Sequence, residues 1–167
     1  MKKLVIIALI LLSKVVSAQT SNLLVGNPWN SDNIRSIRNY VISFAGPAYK
    51  TVNMQTSISK SIDKAYYLFS DTSGKQLKID IKRDLLNRNV DRGTADTLIS
   101  EIKISGYYPL LLKMYRQSFN PDVNSEQIIK KGKAEPISRP DGVKKVSITF
   151  FRSDEQSGAW TLWIKLG

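Results

Sequence analysis

The sequence predicts an α+β domain: a mainly antiparallel sheet of about five to seven strands packed with two helices. Three observations carry this expectation. A stripe of apolar residues at helical spacing occurs twice, at Ile34, Ile37, Val41 and Phe44 and again at Leu111, Leu112, Tyr115 and Phe119. Segments that alternate apolar and polar residues follow each stripe, as half-buried strands do. The resulting order of helix, strands, helix, strands groups the two element types instead of interleaving them, which favours an antiparallel sheet.

The chain opens with residues 1–18, which read as a secretory signal. Lys2 and Lys3 give a positive start, residues 4–12 are an unbroken apolar run, and Val16, Ser17 and Ala18 place small residues at a cleavage point. The run is too short for a membrane span, which needs roughly 20 apolar residues, and Lys14 ends it. A cleaved, exported protein is therefore expected, periplasmic or extracellular, and not transmembrane once processed. No Cys follows the signal to carry a thioether-linked lipid. No Asn-x-Ser/Thr site occurs in the chain, in keeping with a bacterial origin.

Residues 19–30 read as a short polar tether, and residues 31–167 as one domain, the expected unit for this length. Asn30 or Ser31 can cap the first helix. Gly46 and Pro47 end it, because Gly tolerates the turn and Pro cannot continue the helix. Arg35 and Arg38 fall off its apolar stripe. Residues 64–70 are rich in Tyr and Phe and read as a strand. Residues 72–75 form a turn. Residues 76–83 then alternate, with Leu77, Ile79 and Ile81 on one face and Lys78, Asp80 and Lys82 on the other.

Residues 87–97 read as a polar loop, and 98–105 as a strand with Ile102 and Ile104 inward and Glu101 and Lys103 outward. Pro109 suits the first position of the second helix, and Asn120-Pro121 closes it. Residues 125–133 fit a short helix or an edge strand equally. Residues 138–142 read as a turn-rich link. Residues 143–152 and 159–166 form a closing hairpin across residues 153–158. Each half of the chain thus runs from helix to hairpin, a faint internal repeat of helix-plus-hairpin units in order alone, since the residues do not match.

Composition narrows the chemistry. The chain has no Cys and no His. Thiol catalysis, thiolate metal sites, disulfides and His-based triads are excluded, and a zinc site would need carboxylates alone. No cofactor is expected. The formal charge is +11, and loss of Lys2, Lys3 and Lys14 with the signal leaves +8. Such a surface favours anionic partners. For an exported protein these are an anionic glycan, a lipid headgroup or an acidic protein, and not nucleic acid. The same charge would also serve simple solubility.

Several motifs are weak. Ser57 to Lys60 and Ser61 to Lys64 match Ser-x-x-Lys, and Ser31-Asp32-Asn33 matches a second element of the penicillin-recognising serine enzymes. The order is reversed, Lys-Thr-Gly is missing and the chain is short for that architecture. Asn87, Asn89 and Asp91 begin like a calcium loop, but Gly93 falls one place late and Leu98 stands where the closing acid belongs. Asp63, Asp80, Asp84 and Glu101 are the candidates for a His-free carboxylate hydrolase. Asp80, between Lys78 and Lys82, has a solvated surface pattern.

The closing hairpin is the stronger signal. Val146, Ile148 and Phe150 form one face of its first strand, and Trp160, Leu162, Ile164 and Leu166 one face of its second. The opposite faces are polar yet carry Phe151 and Trp163 beside Lys145 and Lys165. Lys130, Lys131 and Lys144 add nearby charge. Aromatics flanked by cations suit sugars, headgroups or a protein partner. A covering helix would instead make Phe151 and Trp163 core, and two helices in need of a sheet to pack on favour that reading. The functional expectation is an exported cell-envelope binding or accessory protein. The alternatives are a carboxylate hydrolase and a stoichiometric protein inhibitor.

Overall fold

The computed structural model describes residues 25–56, 63–84, 97–141, 144–154 and 156–167. The elements run α1 (Ser31–Ala45), β1 (Lys50–Gln55), β2 (Lys64–Ser70), β3 (Gln76–Arg83), β4 (Ile99–Tyr107), α2 (Tyr108–Ser118), α3 (Ser125–Lys131), β5 (Ile137–Asp141), β6 (Lys144–Asp154) and β7 (Ala159–Leu166). The seven strands form one antiparallel sheet in the order β1-β2-β3-β4-β7-β6-β5. The α+β class and the antiparallel sheet are as the sequence predicts.

Each helix has a local cause. In α1 the Asn30 side chain accepts from the Asn33 amide at 2.9 Å, and Asn33 Nδ2 donates to the Pro28 carbonyl. Ser31-Asp32-Asn33 is therefore the first turn of a capped helix, which accounts for those residues without catalysis. Gly46 ends α1 at φ +81°, a conformation that favours Gly. The first turn of α2 contains Pro109, where a missing N–H costs no helical bond. In α3 the Asn124 side chain accepts from the amides of Glu126 and Gln127, and Gly132 stops the helix in the left-handed region. This pair of caps makes residues 125–131 a helix, deciding between the two forms the sequence left open and giving, among the described residues, three helices in place of two.

Sheet and helices share one core. Ala65, Tyr67 and Phe69 of β2, Leu77, Ile79 and Ile81 of β3, Ile102 and Ile104 of β4, Leu162 and Ile164 of β7, and Ile148 and Phe150 of β6 are buried on one face. Ile34, Ile37 and Val41 of α1, Leu111, Met114 and Tyr115 of α2, and Ile128 of α3 join the same cluster. The alternation predicted for β3, β4, β6 and β7 is what delivers this face. Trp160 and Phe150 pack with Tyr108 and Tyr115, with ring centroids 4.6–6.1 Å apart. Gly106 lies opposite Trp160 in the register, and a Cβ there would come within 3.1 Å of the Gln76 carbonyl and of Leu77.

Three readings need correction, and one strand was not foreseen. Residues 137–141 are an edge strand paired with β6, not a link. Pro140 obscured it, but an edge strand tolerates a residue without an N–H. The sequence did not mark β1, because all six of its residues are exposed and it has no inward alternation to detect. The end of the expected tether is packed: Val25 and Trp29 are buried, and Gly26 and Trp29 donate backbone hydrogen bonds to Ile99 and Thr97. Among the described elements, one helix and four strands are followed by two helices and three strands, so no repeat is shown. The signal, most of the polar loop with its calcium-like pattern, and Ser57, Lys60 and Ser61 lie outside the described residues.

Candidate functional site on the outer sheet face

The three helices occupy one face of the sheet. The other face presents the odd-phase residues of the same strands, in rows set by the register. One row runs Tyr66, Asp80, Lys103, Trp163 and Thr149. A second runs Lys64, Lys82, Glu101, Lys165 and Ser147. A third runs Leu68, Lys78, Ser105, Thr161 and Phe151. Lysines therefore outnumber acids on this face, and Lys145 extends it at the start of β6.

Trp163 sits at its centre and is half-buried. Lys103 Nζ lies 4.6 Å from its ring centroid and Lys165 Nζ 5.9 Å. Such cation–π contacts contribute about 0.5–1 kcal/mol each at exposed sites. They hold two ammonium groups around the ring. Trp163 thus acts as a platform for cations. Its indole N–H is buried without a hydrogen-bond partner among the described residues, but so is that of Trp29 in the core, so an orphan donor does not by itself mark the site.

Glu101 organises the remaining charge. Its Oε1 lies 3.2 Å from Lys82 Nζ and 3.3 Å from Lys103 Nζ, ion pairs by distance without hydrogen-bond angles. Partial burial pushes this carboxyl up, but Lys82 and Lys103 together push it further down, and the net result lies below the ordinary carboxylate value. Asp80 pairs with Lys78 at 2.9 Å. Lys165 and Lys145, both exposed, have no carboxylate partner among the described residues. At one end the face opens into a hollow of about 470 Å³ lined by Leu68, Lys75, Lys78, Ser105, Tyr107 and Gly158. Lys75 Nζ there stands 4.5 Å from the Tyr107 ring centroid.

The structure brings together only part of the predicted set. Phe151, Trp163, Lys145 and Lys165 share this face, with Phe151 half-buried toward the β6 edge, bridged to Lys133. Lys144 opens β6. Lys130 and Lys131 stand on α3, which packs Ile128 into the core from the other side, and Lys131 pairs with Glu135. They do not belong to this surface. Lys103, the cation nearest Trp163, was not singled out from the sequence. Its outward position in β4 was legible, but its neighbour in β7 depends on strand order.

Glu101 is not set up as a general acid. A general acid on this scaffold needs a carboxyl shifted up, whereas Glu101 is shifted down between two lysines. Among the described residues no group of three or more acidic side chains is placed to hold a metal ion. No family model, curated protein or solved structure matches the chain.

Proposed function

We propose that this is an exported accessory protein of the cell envelope that binds an anionic glycan on the outer face of its sheet. The observation that carries the reading is Trp163 held between Lys103 and Lys165 on a face that the described helices leave uncovered. A rigid antiparallel face spaces its strands by about 4.8 Å and alternate residues along a strand by about 6.8 Å. Ammonium groups on that grid suit an extended polymer of negative charge. A glycan fits better than a bilayer. The large exposed apolar side chains among the described residues are Val52, Met54, Tyr107 and Ile129, and none lies beside Trp163 to enter a lipid surface.

The signal-like residues 1–18 and the charge of +8 after their removal support the same reading. Retention of the mature protein on immobilised sulfated polysaccharide, against neutral polysaccharide of the same backbone, tests it. The double variant Lys103→Gln, Lys165→Gln is expected to elute at markedly lower salt. The double variant Lys130→Gln, Lys131→Gln removes the same charge from α3 and is expected to elute much closer to the parent. Equal shifts for both would reduce the effect to net charge and overturn the site.

A further inference from the structure

We propose a second binding surface, independent of the first: the free edge of β1, with the groove beside it, adds an extended acidic peptide as an eighth strand. Among the described residues β1 ends the sheet and pairs only with β2. The opposite edge strand, β5, carries Pro140, which withholds a donor and blunts that edge. β1 contains no Pro. Its register is irregular between Thr51 and Asn53, but Asn53, Met54 and Gln55 continue in step with Leu68, Tyr67 and Tyr66. Val52 is 62% and Met54 59% exposed. Two of the four large apolar side chains exposed among the described residues thus lie on this one short strand.

The groove between β1 and α1 has a volume of about 430 Å³ and is lined by Ile34, Arg35, Arg38, Thr51, Met54 and Tyr67. Arg38 lies over the rings of Tyr67 and Phe69, at 5.8 and 5.7 Å. Its guanidinium donates to Asn39 at 3.0 Å and, at the long limit, to Thr51. No carboxylate pairs with it among the described residues. Arg35 pairs with Asp32, and both are well exposed. A strand added to β1 would turn alternate side chains toward α1. An apolar one there covers Met54, and a carboxylate reaches Arg38. Main-chain bonds would supply affinity and the inward positions selectivity. Charge also decides the occupant. A second copy pairing β1 to β1 would bring Lys50, Arg35 and Arg38 against their equals, whereas an acidic strand meets opposite charge.

The probe is a labelled synthetic peptide with valine and glutamate alternating on one strand face and threonine on the other, followed by fluorescence anisotropy against the mature protein. Saturable binding is expected, weakened about fivefold by Arg38→Gln, the equivalent of one partly exposed ion pair. It should be lost when alternate peptide amides are N-methylated or when lysine replaces glutamate. The outer-face variant Lys103→Gln, Lys165→Gln should bind the peptide as the parent does. The proposal is overturned by absence of binding, by equal binding of the N-methylated peptide, by loss of binding in the outer-face variant, or by a β1-mediated dimer in sedimentation. The N-methylated peptide leaves the protein unchanged, so this arm holds even if Arg38→Gln disturbs the packing over Tyr67.

Discussion

Replacing Glu101 with Gln should weaken the fold and strengthen the site at once. The Glu101 side chain is 14% exposed, and its carboxylate stands 3.2 and 3.3 Å from the ammonium groups of Lys82 and Lys103, whose side chains are 38% and 36% exposed. Fully exposed pairs contribute about 0–1 kcal/mol, and breaking a buried pair costs about 3–5 kcal/mol. Lysines this exposed regain water when the acid is lost, so the loss should fall at the top of the lower class, about 1 kcal/mol. Its pH dependence has a fixed sign. The folded carboxyl titrates below its ordinary value of 4.5, so the unfolded chain takes up the proton first as pH falls. The contribution is therefore complete above about pH 5 and disappears as pH drops through the folded value. Urea unfolding of parent and variant at pH 7 and pH 3 measures this. The variant should be less stable at pH 7, and the gap should narrow at pH 3. Equal stability at pH 7, or a gap undiminished in acid, would refute the argument. The same change removes one negative charge about 6 Å from an anion on this face. That is worth about 0.7 kcal/mol in water before salt, and roughly half of it after screening. Affinity for a sulfated polysaccharide should rise about twofold.

Other expectations follow from packing and caps. Leu162→Ala opens a cavity in a central strand where the side chain is fully buried, and chemical denaturation should show a loss of about 2–5 kcal/mol. Gly106→Ala places a methyl 3.1 Å from the Gln76 carbonyl and Leu77, and the same assay should show about 1–3 kcal/mol of destabilisation by overpacking. Asn30→Ala removes the acceptor for the Asn33 amide and should cost about 1 kcal/mol, with helix α1 becoming the first segment to exchange amide hydrogens.

Much of the fold could be read from periodicity. The inward sets Ile34-Ile37-Val41, Leu77-Ile79-Ile81 and Ile102-Ile104 were all legible, because burial on one face imposes a period on the sequence. β1 and β5 were not. An edge strand with every residue exposed carries no such period, and Pro140 is a breaker signal that only an unpaired edge forgives. The short α3 stayed open between helix and edge strand, because it buries a single residue, Ile128; its caps, Asn124 and Gly132, are what make it a helix. At the candidate site, the outward positions of Trp163, Lys165 and Lys145 came from alternation. The partnership of Trp163 with Lys103 did not, because it depends on β7 lying beside β4, a long-range pairing across sixty residues of chain. Lys130 and Lys131 were grouped with the hairpin by nearness in sequence, and the turn of α3 takes them to the other side of the sheet.

Trp163 can serve as its own reporter of anion binding on the outer face. Trp29 and Trp160 are buried, at 7% and 3% exposure, whereas Trp163 is half-open between two lysines that attract anions. Iodide quenching of the mature protein should therefore report mainly Trp163, largely vanish in Trp163→Phe, and fall when a sulfated polysaccharide is added at low salt. Quenching that is unchanged by saturating polysaccharide would place any anion elsewhere and contradict the account.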